Sequence, residues 1–250
     1  MAWPKAKARP GAAASFRLLG IPIQIDASWF MIVAFITWSL ATGYFPYQLP
    51  GASPAVHWGM GFAAALALFA CVLLHELGHS LVAQRHGIPV ACVSLFLFGG
   101  VSQITGHPRR PSVELQVALA GPLVSGAIAW GCAAARTWVP GDGASELPAM
   151  LRYLAHVNLG LMLFNLLPGY PLDGGRVLRA LIWAVTGNVR LATRWAGGMG
   201  ALFGMALIAI GIWTMLQGRL MGGLWYGLLG MFLRNAASSS VRAAASGDRA

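Results

Sequence analysis

Acidic residues are nearly missing from this chain: 7 Asp and Glu stand against 17 Lys and Arg in 250 residues. Charged residues of all kinds make up 10%, where a soluble domain carries about 25%. So little charge cannot cover a surface that faces water on all sides, which excludes an ordinary soluble domain. Cysteine is scarce too. Cys71, Cys92 and Cys132 share no CxxC or metal-ligand spacing, so they read as apolar packing residues. There is no fixed-period repeat and no long polar stretch for a soluble domain. The net charge of +10 is scattered between apolar runs, with no basic face and no nucleic-acid motif, which argues against a nucleic-acid partner.

What is abundant is hydrocarbon, at 57% of residues. A spanning helix needs about 20 largely apolar residues. Six segments approach that, at 28–45, 59–84, 112–139, 150–167, 195–216 and 220–233, the last being short. Gly197, Gly200 and Gly204 in the fifth give a small-residue face for close helix approach. The basic residues orient the chain. With a cytoplasmic N-terminus and six crossings, 14 of the 17 Lys and Arg fall inside, leaving Arg136, Arg152 and Arg219 outside, as the positive-inside rule requires. The expected fold class is an all-α polytopic membrane protein with about six transmembrane helices and short membrane-associated strand elements. Residues 1–14 read as a disordered basic cytosolic tail rather than a cleaved signal peptide. Residues 15–235 read as the membrane-embedded domain and 236–250 as a disordered tail. Within 15–26 a short interfacial strand is expected, and 88–104, rich in β-formers with Gly99-Gly100, reads as a hairpin or re-entrant loop.

Against this apolar background the second segment carries His75, Glu76 and His79, in CVLLHELGHSLVAQRHG. Ionisable groups inside a membrane cost a few kcal/mol each on insertion scales, about 2.5–3.5 for an aspartate, which marks them as functional. His75 and His79 stand at i and i+4, so both imidazoles leave one helix face and can hold one metal. Glu76 sits beside them as a non-ligand, free to take a proton from water activated there. This is the HExxH pattern. His57, His86, His107 and His156 have no partner at ligand spacing and read as loop or structural residues. The tryptophans read as interfacial anchors and packing residues.

A catalytic zinc needs a third protein ligand. Asp142, Glu146 and Asp248 are disfavoured by their place in the topology, while Asp26, Glu114 and Asp173 remain possible by depth. Asp173 has the most suggestive context, NLLPGYPLDGGR. Pro168 and Pro171 break the helix so that the chain can turn back, and Gly174-Gly175 permits close backbone approach. The competing reading of Asp173 is a helix N-cap.

HELGH at 75–79, with Asn165-Leu-Leu-Pro168 and Leu172-Asp173-Gly174, resembles the site-2 protease family of intramembrane zinc metalloproteases. GIPIQIDASWF, HGIPVACVSLFLFGGVSQI and ALAGPLVSG are similar to further segments of that family, and the resemblance covers roughly 16–235. It implies one zinc held by His75, His79 and Asp173, with Glu76 as general base and Asn165 positioning substrate or stabilising the oxyanion. Gly121 and Ser125 match a small-residue motif whose role is read as packing. The implied substrate is a single-pass membrane protein already trimmed on its outer side, such as an anti-sigma factor or a signal-peptide remnant. The implied location is a prokaryotic inner membrane, in contact with lipid. The short polar C-terminus suggests a form without a regulatory soluble domain. If 88–104 pairs with an extended substrate, Val101→Pro is expected to reduce cleavage without loss of zinc. A membrane metal transporter and a catalytically inactive binding homologue are the alternatives.

Overall fold

The structure, a computed structural model, describes residues 12–97, 99–106, 108–139 and 145–246. His107, Asp142 and Asp248 lie outside the described residues, as do most of the expected N-terminal tail and residues 247–250. Two compact units emerge, one of residues 1–107 and 120–162, the other of residues 108–119 and 163–250.

The first unit opens with a hairpin where one short strand was expected. Strands β1 (Ala12–Leu18) and β2 (Ile21–Asp26) pair antiparallel. Leu19 and Gly20 join them, both at positive φ (52° and 79°), the combination that a two-residue hairpin of right-handed twist requires. β1 thus begins inside the segment read as a disordered tail. Strands β3 (Val90–Phe96) and β4 (Gly99–Ile104) form the expected hairpin, and β3 runs parallel to β2. The sheet order is β1-β2-β3-β4, so β4 is an edge strand. Ile21, Ile23 and Val93 are fully buried and form its inner face.

Helix α1 (Ser28–Ser39) follows, then a π turn (Leu40–Tyr44) and the short α2 (Phe45–Gln48). Asp26 starts this run: its Oδ1 accepts from the amide and hydroxyl of Ser28, at 2.9 and 2.6 Å. Helix α3 (Pro54–Arg85) is 32 residues long. Ser53 caps it, Pro54 occupies the first turn where no amide donor is needed, and Gly87 at φ 71° turns the chain away. Phe45, Leu49, Ala64 and Tyr153 make one apolar cluster, and Val33, Ala65 and Phe69 another. Cys71 and Cys92 are buried and unbridged, in keeping with a packing role.

Helix α4 (Pro111–Thr137) carries Pro122 in its interior, and α5 (Glu146–Asn165) ends at the predicted break. Helix α6 (Asp173–Thr186) is a short amphipathic helix ended by Gly187 at φ 67°. Helices α7 (Val189–Leu216) and α8 (Leu220–Ser246) pack against each other within the second unit. A Cβ on Gly204 would lie 2.7 Å from the carbonyl oxygen of Gly230, and one on Gly211 would lie 2.8 Å from that of Gly223. Gly197 faces Val241 and Ala237. The pairs Gly204–Gly230, Gly211–Gly223 and Gly197–Ala237 have the same sum, so the antiparallel helices are in one register, with contacts every seventh residue.

Five helical stretches are long and apolar enough to cross a membrane: Ser28–Gln48, Pro54–Arg85, Pro111–Thr137, Glu146–Asn165 and Val189–Leu216. The sixth expected span is only the apolar first part of α8, whose remainder is polar. That polar part corrects the expected tail at 236–250, because 236–246 is helical. Alanine is the strongest helix former, and Ala237 is buried with Tyr170 and Ala196. Burial pushes the phenol of Tyr170, in the segment before α6, up to about 12 despite the opposing pull of Arg179.

Candidate metal centre

The i,i+4 geometry of α3 does what the spacing predicts. His75 and His79 are both 3% exposed, and their Nε2 atoms lie 3.2 Å apart. Two nitrogens each about 2.0–2.1 Å from a tetrahedral ion would stand about 3.3 Å apart, so the pair is spaced as two ligands of one zinc. The space beside the rings is kept open by Gly121 on α4. A Cβ there would collide with both imidazoles, reaching 2.6 Å from Nε2 of His75. The remaining ring nitrogen of His75, Nδ1, lies 2.9 Å from Oγ of Ser125. With Nε2 turned to a metal, Nδ1 carries the proton and donates it to this hydroxyl, which sets the tautomer and fixes the ring.

Glu76 lies on the neighbouring face and is tied to the sheet. Its Oε2 accepts from the amide of Ser102 at 2.9 Å and from the Ser102 hydroxyl at 2.7 Å. Ser102 Oγ also lies 3.1 Å from Ser80 Oγ. The carboxylate stem rests on Gly100, where a Cβ would come within 2.8 Å of Cγ of Glu76. Both donors engage one oxygen, so Oε1 is the one available to a reacting water.

Asn165 and Asp173 belong to the second unit. Asn165 closes α5, and Asp173 is the first residue of α6, whose N-cap is Leu172. The N-cap reading of Asp173 is therefore corrected. The chain between them folds tightly, as the Pro and Gly residues predict. A Cβ on Gly174 would overlap the carbonyl of Leu166, and one on Gly175 would lie 2.7 Å from the oxygen of Gly169. At the N-terminus of a helix a carboxylate is favoured by the free amides and dipole. Tyr170-Pro171 is a cis peptide bond.

The competing carboxylates are engaged elsewhere. Asp26 starts α1, and Glu114 is fully buried in an ion pair with Arg179, whose Nε donates to Oε1 at 2.6 Å. Two of the remaining histidines have structural bonds, His57 to the Leu49 carbonyl and His156 to the Arg152 carbonyl.

Three residues support this site in ways the sequence does not make plain. The motif around Ser125 and Gly121 suggests packing, although their i,i+4 spacing on α4 is a usable sign that both share one face. Ser102 carried no local signal, because its partner is 26 residues away in the chain.

The sequence model of peptidase family M50 matches residues 63–145 and 141–211, which include the HExxH helix and Asp173. The chain is 42% identical to sll0528 of Synechocystis sp. over 227 residues, covering 90% of this chain and 58% of that protein. It is 38% identical to Rip3 of Mycobacterium tuberculosis over 228 residues, covering 88% and 56%. Both names describe a zinc metalloprotease, and this chain spans little more than half their length. Among solved structures it is similar to the site-2 protease from Methanocaldococcus jannaschii, with a TM-score of 0.60 and 27% identity, covering 91% of this chain and 95% of that one. With that family match over more than half its length, the chain belongs to peptidase family M50.

Proposed function

We propose that the protein is a zinc endopeptidase that cleaves membrane-protein substrates within or beside the bilayer, with His75, His79 and Asp173 as the ligands of one zinc. The observation that carries this reading is the pair of buried imidazoles at ligand separation, kept open by Gly121, with a carboxylate next to them. Two ring nitrogens and one carboxylate oxygen are the donor set of a catalytic zinc that retains an open position. Bound zinc supplies Lewis acidity, polarising the scissile carbonyl and bringing the pKa of water to about 7.

Glu76 takes the proton of the attacking water on Oε1 while Ser102 holds Oε2 in place. As the C–N bond breaks, Glu76 passes that proton to the leaving amine, and the water oxygen becomes part of the new carboxyl group. Asn165 donates from its side-chain amide to the carbonyl oxygen as that oxygen gains charge. β4, at the sheet edge and bonded to Glu76, presents an extended backbone against which the scissile segment can be held straight. A single-pass membrane protein trimmed on its outer side, such as an anti-sigma factor or signal-peptide remnant, fits this requirement. The basic residues support a prokaryotic inner-membrane location with both termini cytoplasmic, the apolar start of α8 serving as the sixth crossing.

Metal content of detergent-purified protein tests the site without a known substrate. Wild type should hold close to one zinc per chain, and His75→Ala and Asp173→Ala should both lose it. Glu76→Gln should keep its zinc while its cleavage of a transmembrane reporter falls by about 10²–10⁴. Zinc binding indifferent to either ligand change would overturn the site, and full activity in Glu76→Gln would overturn the mechanism.

A further inference from the structure

Two cavities, each about 430 Å³, meet in the first unit at one residue, His156. Their characters differ. The first is lined by Tyr44 and Gln48, where the Ser28–Gln48 stretch ends, and by Arg152 and His156 near the start of α5. Nη1 of Arg152 donates to Oε1 of Gln48 at 3.1 Å, while its Nε is buried with no hydrogen-bond partner. Among the described residues no carboxylate pairs with Arg152. The second cavity is an apolar groove between α4 and α5, floored by Gly126, Ala129 and Ala133 and walled by Trp130, Leu159 and Met162. Trp130 is 76% exposed on its rim.

We infer that the two cavities form one binding site for an anionic phospholipid, with the phosphate at Arg152 and one acyl chain in the α4–α5 groove. A guanidinium that no carboxylate among the described residues pairs, in a cavity at the end of a membrane-spanning stretch, suits an anion. Its fork of donors suits phosphate oxygens. An inorganic anion would leave the adjoining groove unused, whereas an amphiphile fills both. The dimensions agree. Ten residues of α5 separate Arg152 from Met162, about 15 Å of helix, and this is half of the roughly 30 Å hydrocarbon core. The two cavities together therefore run about half the hydrocarbon depth along α5, with Arg152 at the end nearer the helix start and the groove lined from Ala155 to Met162. His156 donates Nδ1 back to the Arg152 carbonyl at 2.7 Å, which turns the ring toward the junction of the two cavities. The site is separate from His75, His79 and Glu76, and the inference stands without the proteolytic reading.

Native mass spectrometry of delipidated protein, offered equimolar phosphatidylglycerol and phosphatidylcholine with the same acyl chains, tests it. Wild type should retain one phosphatidylglycerol with a preference of about fivefold or more over phosphatidylcholine. Arg152→Gln should reduce that preference to parity, and Arg152→Lys, which keeps the charge, should retain most of it. Ala133→Leu, which fills the groove, should weaken retention of both lipids. A melting temperature in detergent close to that of wild type would show that these variants are folded. Equal retention of the two lipids by wild type, or an undiminished preference in Arg152→Gln, would overturn the inference. Thermal stabilisation by inorganic phosphate equal to that by phosphatidylglycerol would also overturn it, by reducing the site to one for a free anion.

Discussion

At the scale of single residues, the proposed metal centre depends on residues that would never touch the metal. Ser125 acts through the Nδ1 of His75, and Gly121 acts by having no side chain at all. Outer partners of this kind are worth about 10–100-fold in metal affinity when removed. Ser125→Ala is therefore expected to weaken zinc binding by about that factor while the fold and the Glu76 contacts persist, measured by competition with a chelator of known affinity. Gly121→Ala should be more severe, because its new methyl would lie where the imidazole nitrogens meet. If Gly121→Ala bound zinc as wild type does, the open face of the two imidazoles would not be the metal's position.

At the scale of elements, the β3–β4 hairpin shows how the chain's own bonding limits what a mutation can test. Amides alternate sides along a strand. Ser102 donates to Glu76, away from β3, so the amides of Val101 and Gln103 point toward β3. Proline at Val101, the natural choice from sequence, would break the hairpin itself. Ile104 shares the outward side with Ser102, and Ile104→Pro is the sharper test of substrate pairing: cleavage should fall at least tenfold with zinc content intact. Undiminished cleavage would remove strand addition from the mechanism. The same elements show what the sequence made legible. HExxH on α3, the α5 break and the β3–β4 hairpin each arise from local periodicity or local Pro and Gly, so they could be read directly. The β1–β2 hairpin was only half visible because its turn has a leucine, exposed at 65%, where Gly or Asn usually stands. The helical course of α8 past residue 235 was hidden because its stability comes from packing against α7. Glu114 looked like a candidate ligand because only the folded chain brings Arg179 to it, 65 positions later.

At the scale of the whole molecule, a fully buried ion pair gives one polar contact a large effect on stability. Glu114 is fully buried, its Oε1 paired with Arg179 and its Oε2 without a partner. Removing one member of such a pair leaves a buried charge uncompensated, at a cost of about 3–5 kcal/mol. Glu114→Ala should thus lower the melting temperature in detergent sharply, and a second change, Arg179→Met, should restore much of the loss; a melting temperature unmoved by Glu114→Ala would show that the pair is dispensable. The α7–α8 contacts have a different kind of consequence, one for how such a chain can change in length. Because Gly204 meets Gly230 and Gly211 meets Gly223 in one fixed register, a residue inserted into either helix displaces every later contact and sets side chains against carbonyls. The next alignment lies seven residues away, about 10 Å along the axis, too far for small errors to find. Insertions and deletions are therefore tolerable in the turn at 217–219 and intolerable on either side of it.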